Sequence, residues 1–129
     1  MSVYKTYNRE PDGLPDSVKS WKLYDSGKGL YFTTYDINNC DNMVEFFFES
    51  TLAYLCIDES NRLELWDNYD IERDKIIYEV YESSFLSDFH RSSKFIHEGL
   101  EIFHFLVITT DDCVDILSTC HPIITVTKK

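Results

Sequence analysis

The chain has 129 residues, of which 23 are Asp or Glu, 12 are Lys or Arg and 16% are aromatic, giving a formal net charge of −11 at pH 7. A disordered acidic segment lacks the large apolar side chains needed to offset ordering entropy, so this composition specifies a folded domain with an anionic exterior. Such a surface repels nucleic-acid phosphates and anionic lipid and steers cationic protein toward it, so a basic protein is the expected partner, with no nucleic acid and no membrane.

At this length a single domain, residues 1–129, can bury one core. Residues 1–10 are polar and lack the apolar region of a secretory signal, and no apolar stretch reaches membrane-span length, so a cytoplasmic location is expected. Cys40, Cys56, Cys113 and Cys120 are irregularly spaced, which in that compartment reads as free thiols.

Residues 1–20 read as an irregular lead-in, with Pro11, Gly13 and Pro15 interrupting any periodicity. Trp21 to Tyr24 and Leu30 to Tyr35 have β composition and flank Ser26-Gly27-Lys28-Gly29, which predicts a hairpin. After the polar cluster Asp36 to Asn42, Met43 to Phe48 and Leu52 to Ile57 are apolar enough for strands buried on both faces. Alternation in Arg62-Leu63-Glu64-Leu65-Trp66 predicts a half-buried strand. Asp67 to Lys75 is a charged loop, and Ile76 to Tyr81 returns to β composition. Ser83 or Ser84 can cap a helix running from about Ser84 to His97, with Phe85, Leu86, Phe89 and Ile96 facing the sheet and Gly99 as its stop. Ile102 to Thr109 and Cys113 to Leu117 predict a second hairpin about Thr110-Asp111-Asp112, and Ile123 to Val126 a last strand after Pro122. The resulting fold class is α+β: a mainly antiparallel, strongly curved sheet of about seven to nine strands with one principal helix packed on it.

Few residues suggest chemistry. His90 and His97 lie about 10 Å apart along a helix, too far to chelate one ion, and no Cys-x-x-Cys or His-x-x-x-His pair occurs, so no metal is expected. Asp111, Asp112 and Asp115 are the densest carboxylates, but the first two occupy a turn, where aspartates bond their own backbone; Asp58 and Glu59 read the same way. Alternation puts Asp115 on one face with Cys113 and Leu117. Neither Cys113 nor Cys120 carries a local signature pairing it with His104 or His121 as a nucleophile. Gly27 and Gly29 lack the remaining residues of a nucleotide loop, so no cofactor is expected. The strongest interface candidates are Asp67, Tyr69, Asp70, Glu72, Asp74, Tyr78 and Tyr81, which interleave aromatic anchors with negative charge.

Three stretches, Leu52-Ala-Tyr-Leu-Cys-Ile-Asp-Glu-Ser-Asn-Arg-Leu, Ser84-Phe-Leu-Ser-Asp-Phe-His, and His104-Phe-Leu-Val-Ile-Thr-Thr-Asp-Asp-Cys-Val-Asp-Ile-Leu-Ser, resemble parts of small acidic bacterial immunity proteins encoded beside polymorphic or contact-dependent toxins. The resemblance assigns no functional residue. It implies a non-enzymatic inhibitor that binds a basic toxin domain, such as a nuclease, and blocks its active site or substrate path. The alternative is a small hydrophobic-ligand-binding β protein whose curved sheet encloses a pocket lined by Phe and Tyr. A hydrolase using Asp111, Asp112 or His104 ranks behind both, because no motif joins a nucleophile to a base.

Overall fold

A computed structural model of the protein describes residues 2–58, 62, 65, 71 and 75–128. Their order is β1 (Val3–Thr6), β2 (Val18–Asp25), β3 (Leu30–Asp36), β4 (Asn39–Phe48), β5 (Thr51–Asp58), β6 (Ile77–Tyr81), α1 (Ser84–Ser92), β7 (Phe103–Ile108), β8 (Asp112–Ser118) and β9 (Ile123–Thr127). Short polar side chains close the hairpins. Asp25 accepts from the Gly27 amide at 2.8 Å between β2 and β3, and Asp36 accepts from the Asn38 amide at 2.9 Å between β3 and β4. Thr109 accepts from the Asp111 and Asp112 amides at 3.1 and 2.8 Å between β7 and β8. Each bond satisfies a turn amide that no ladder can reach.

These strands form two sheets, β1-β6-β7-β8-β5 and β2-β3-β4-β9, and every strand pair is antiparallel. Phe32, Val44, Phe46 and Phe48 of the four-stranded sheet share one buried cluster with Ile77, Phe105, Val107 and Ile116 of the five-stranded sheet. Phe48 and Phe105 meet across it with ring centroids 5.8 Å apart. Burying each such ring is worth about 1.5–3 kcal/mol, so this layer dominates the stability. The opposite face of the five-stranded sheet is also covered: Tyr78, Val80, Leu106, Ile108 and Cys113 pack with Leu65, and Tyr4 and Ile71 lie against them. That double covering explains the apolar run Phe105 to Ile108 of β7.

The expected antiparallel α+β architecture is present, but the single strongly curved sheet is replaced by two sheets, neither closed nor curled. The lead-in is also more regular than its composition suggests, since it contains β1 and the start of β2. Leu52 to Ile57 is not buried on both faces. It lies in the edge strand β5, where Tyr54, Leu55 and Cys56 are exposed. Of the strand expected at 62–66, the described Leu65 is buried with its amide bonded to the Arg62 carbonyl, a helical-turn contact, while Leu63, Glu64 and Trp66 lie outside the described residues.

The helix is shorter than expected and ends at Ser92. Ser83 caps it, accepting from the Leu86 amide at 2.9 Å. None of its residues is buried, Phe85, Leu86 and Phe89 being only half-buried, and Ile96, beyond its end, is among the most exposed side chains.

Candidate functional site

A chain of buried polar groups runs across the outer face of the five-stranded sheet. His104 on β7 and Asp115 on β8 point away from the sandwich interior, because their strand neighbours Phe105 and Ile116 point into it. His104 Nε2 lies 2.6 Å from Asp115 Oδ1, and Arg62 donates to Asp115 Oδ2 at 2.5 Å. On its other side His104 Nδ1 lies 2.7 Å from the Ser83 hydroxyl. A neutral imidazole fits this chain throughout, with Ser83 donating to Nδ1 and Nε2–H donating to the carboxylate. Burial works against the Arg62 charge, but the charge and hydrogen bond of Asp115 outweigh it and hold the guanidinium pKa above its ordinary value.

Beside this chain opens a cleft of about 330 Å³ lined by the apolar Tyr4, Leu55, Ile57 and Phe85 and by the polar Ser2, Arg62, Ser84, Asp88, His104 and Asp115. Serine, histidine and aspartate in hydrogen-bonded series are the residue types of an acyl-transfer relay. Ser83 is buried, is not among the residues lining the cleft, and accepts from the Leu86 amide while its hydroxyl meets His104 Nδ1. The chain clamps α1 and Arg62 to the sheet. Among the described residues no group of three or more His, Cys, Asp or Glu side chains is placed to hold a metal ion.

Of the interface residues expected from sequence, Asp67, Tyr69, Asp70, Glu72 and Asp74 lie outside the described residues. Tyr78 is a correction. It stands opposite Leu106 on β7 and is wholly buried under Leu65, so it is a core residue and not a surface anchor. Tyr81 is exposed at the end of β6, with the Lys5 ammonium 4.9 Å from its ring centroid. Residual burial and the neighbouring Glu79 push its phenol up. Asp115, placed by alternation on a strand face with Cys113 and Leu117, lies on that face of β8 and is buried. The signal for it was the shared face with Cys113 and Leu117. His104 and Arg62 carried no such signal, because His104 bonds Ser83 and Asp115 at separations of 21 and 11 residues and Arg62 bonds Asp115 at a separation of 53.

Sequence reasoning also missed an aromatic row on the outer face of the four-stranded sheet. The register places Tyr24, Tyr31, Phe47 and Ile123 opposite one another on four adjacent strands. Tyr24 and Tyr31 stack at 5.0 Å, and Tyr31 and Phe47 at 4.4 Å. None of the four belongs to either buried cluster, and Trp21 on the edge strand is 64% exposed.

These features define an antiparallel two-sheet sandwich with one flanking helix, an anionic exterior and an aromatic sheet face outside its cores. Comparison with known protein families, with curated proteins and with solved structures finds no match. Among the described residues no helix is long and apolar enough to cross a membrane.

Proposed function

We propose that the protein is a cytoplasmic bacterial immunity protein, an inhibitor that binds a basic toxin domain such as a nuclease and neutralises it by occupying its surface, without chemistry of its own. The observation that carries this reading is the net charge of −11 on a folded domain that also leaves Trp21, Tyr24 and Ile123 exposed. Charge of that size accelerates encounter with a cationic surface, and exposed rings supply the close contacts that hold it. The burial of Ser83 away from the cleft supports the non-enzymatic role.

The test is binding kinetics with the purified toxin domain encoded beside this chain. Rising salt should slow association more than dissociation, and charge reversal at Asp67, Asp70, Glu72 and Asp74 should lower the association rate. Absence of binding, or binding indifferent to salt, overturns the reading. The cleft walled by Tyr4, Leu55, Ile57 and Phe85 favours a second reading, a binder of small apolar ligands. Saturable uptake of a fluorescent fatty acid, lost in Phe85→Glu, would support that alternative instead.

A further inference from the structure

Helix α1 ends in a turn whose backbone is strained. Lys94 and Phe95 have φ of 53° and 61°, two consecutive non-glycine residues in the left-handed region. There the side chain crowds the following carbonyl, and a bulky residue such as Phe is a true outlier. Such a conformation persists only where its surroundings over-determine it. Here they do. The Phe95 amide donates to the His90 carbonyl at 2.8 Å, the Lys94 amide to the Arg91 carbonyl at 3.2 Å, and the Ser93 hydroxyl to the Phe89 carbonyl at 2.8 Å. Two ring stacks brace the turn, Phe89 on His97 at 5.5 Å and His90 on Phe95 at 6.4 Å. Beneath it, His90 Nδ1 is buried without a hydrogen-bond partner.

Strain and an unsatisfied nitrogen are ordinarily tolerated where they let large side chains reach the core. This turn does the reverse. Phe95 is 54% exposed, Ile96 74% and Leu100 49%, so the braced backbone holds three apolar side chains out in water. Gly99, the residue best able to relieve a tight turn, is not where the left-handed backbone falls. The bonds to the His90 and Arg91 carbonyls make the turn the C-terminal stop of α1, and the shape so fixed presents the three apolar side chains already ordered, which lowers the ordering cost of association.

We infer that the turn at residues 93–100 is the anchor that enters the partner, a convex apolar knob of Phe95, Ile96 and Leu100 received by an apolar cleft on a cationic protein domain. Charge complementarity selects that occupant over a second copy of this chain, since two surfaces of net charge −11 repel. Glu98 and Glu101 outnumber Lys94, the one Lys or Arg of residues 93–101, and would meet a basic rim around such a cleft. The inference rests on the inhibitor reading above and adds to it the element that makes the contact.

The test uses the full chain and the same purified toxin domain. Ile96→Ser should speed dissociation by about tenfold or more, as expected of a central anchor, while leaving the unfolding midpoint in place because the side chain is exposed. Phe95→Gly removes the ring and the strain at that position, so it should speed dissociation to a similar extent while raising the unfolding midpoint. A complex in which Ile96→Ser and Phe95→Gly both dissociate within about twofold of the parent rate, while Tyr24→Ala or Phe47→Ala weakens it, places the contact on the aromatic sheet face and overturns the knob alone. No binding by the unaltered chain overturns the knob together with the inhibitor reading.

Discussion

Asp115 and His104 lie diagonally across the β7–β8 ladder, each directly opposite a leucine, with carboxylate and imidazole 2.6 Å apart. The carboxylate also holds Arg62, whose side chain is 11% exposed against 5% for Asp115. Removing one member of a buried ion pair leaves the other desolvated and unpaired, so Asp115→Ala should cost about 3–5 kcal/mol in urea denaturation. A loss under about 1 kcal/mol would show that water reaches the guanidinium freely.

Ser83 serves both the Leu86 amide and His104 Nδ1. An ordinary cap is worth about 1 kcal/mol. Ser83→Ala should cost more, about 2–3 kcal/mol, because it also orphans a buried imidazole nitrogen. The His104→Phe background separates the two parts: if the serine's cost is the same there as in the parent, the hydrogen bond between them contributes nothing.

Two glycines of one hairpin should respond differently. A Cβ at Gly29 would stand 2.6 Å from the Phe47 ring and 2.7 Å from the Phe48 carbonyl, so backbone must shift. Gly29→Ala should cost about 1–3 kcal/mol. Gly27 has φ of 83° and open space around it, so Gly27→Ala should cost about 1 kcal/mol from backbone strain and Gly27→Asn less. Equal costs for the two alanines would remove the close approach of Gly29 as a cause.

None of the four cysteines is in a disulfide. Burial, and then the Asp112 charge, push the Cys56 thiol up, so it holds less thiolate at mildly alkaline pH than an ordinary cysteine. With a disulfide reagent on the native protein, exposed Cys40 should react first and Cys56 later, with buried Cys113 silent until unfolding. Faster labelling at Cys56 than at Cys40, mapped by mass spectrometry, would contradict this order.

Burial pushes the Tyr7 phenol above its ordinary value, with Arg9 opposing and Glu79 adding to the rise. The native state therefore keeps this proton to higher pH than the unfolded chain. Stability linked to it is fully present below the unfolded value of about 10 and is lost as pH rises through the folded one. Tyr7→Phe should cost about 1 kcal/mol at neutral pH, through its 3.0 Å contact with His121, and should flatten the alkaline decline. Parallel curves of urea midpoint against pH for the two proteins would exclude Tyr7 as the titrating group.

Local chemistry made much of the fold legible in sequence. Asp25 with Gly27 and Thr109 with Asp112 bond within their own turns, so those two hairpins could be read from adjacent residues, while Asp36 with Asn38 closes a third that read only as a polar break. What depended on distant partners could not. Val3–Thr6 becomes a strand because β6 lies beside it, and Tyr78 is buried because Leu65 covers it. Leu52 to Ile57 is apolar enough for a central strand, but nothing in its own residues shows that one side of β5 lacks a neighbour. Ile96 continues the helical spacing of Phe85 and Phe89, yet the helix has already ended. The polar chain was legible only at Asp115, since Ser83, His104 and Arg62 acquire meaning when four separate segments meet.

The strand order also governs how the protein must fold. β4 pairs with β9, matching Met43 to Thr127, and β6 pairs with β1, matching Tyr81 to Val3. These contacts join positions 84 and 78 residues apart, by subtraction of the paired numbers. Loop-closure entropy is lost before such pairings return any stabilisation. The three local hairpins can form early and cheaply, whereas completing either sheet waits on remote strands, so refolding from urea should be a slow process of milliseconds to seconds, with unpaired strand edges open to aggregation until the remote strands arrive.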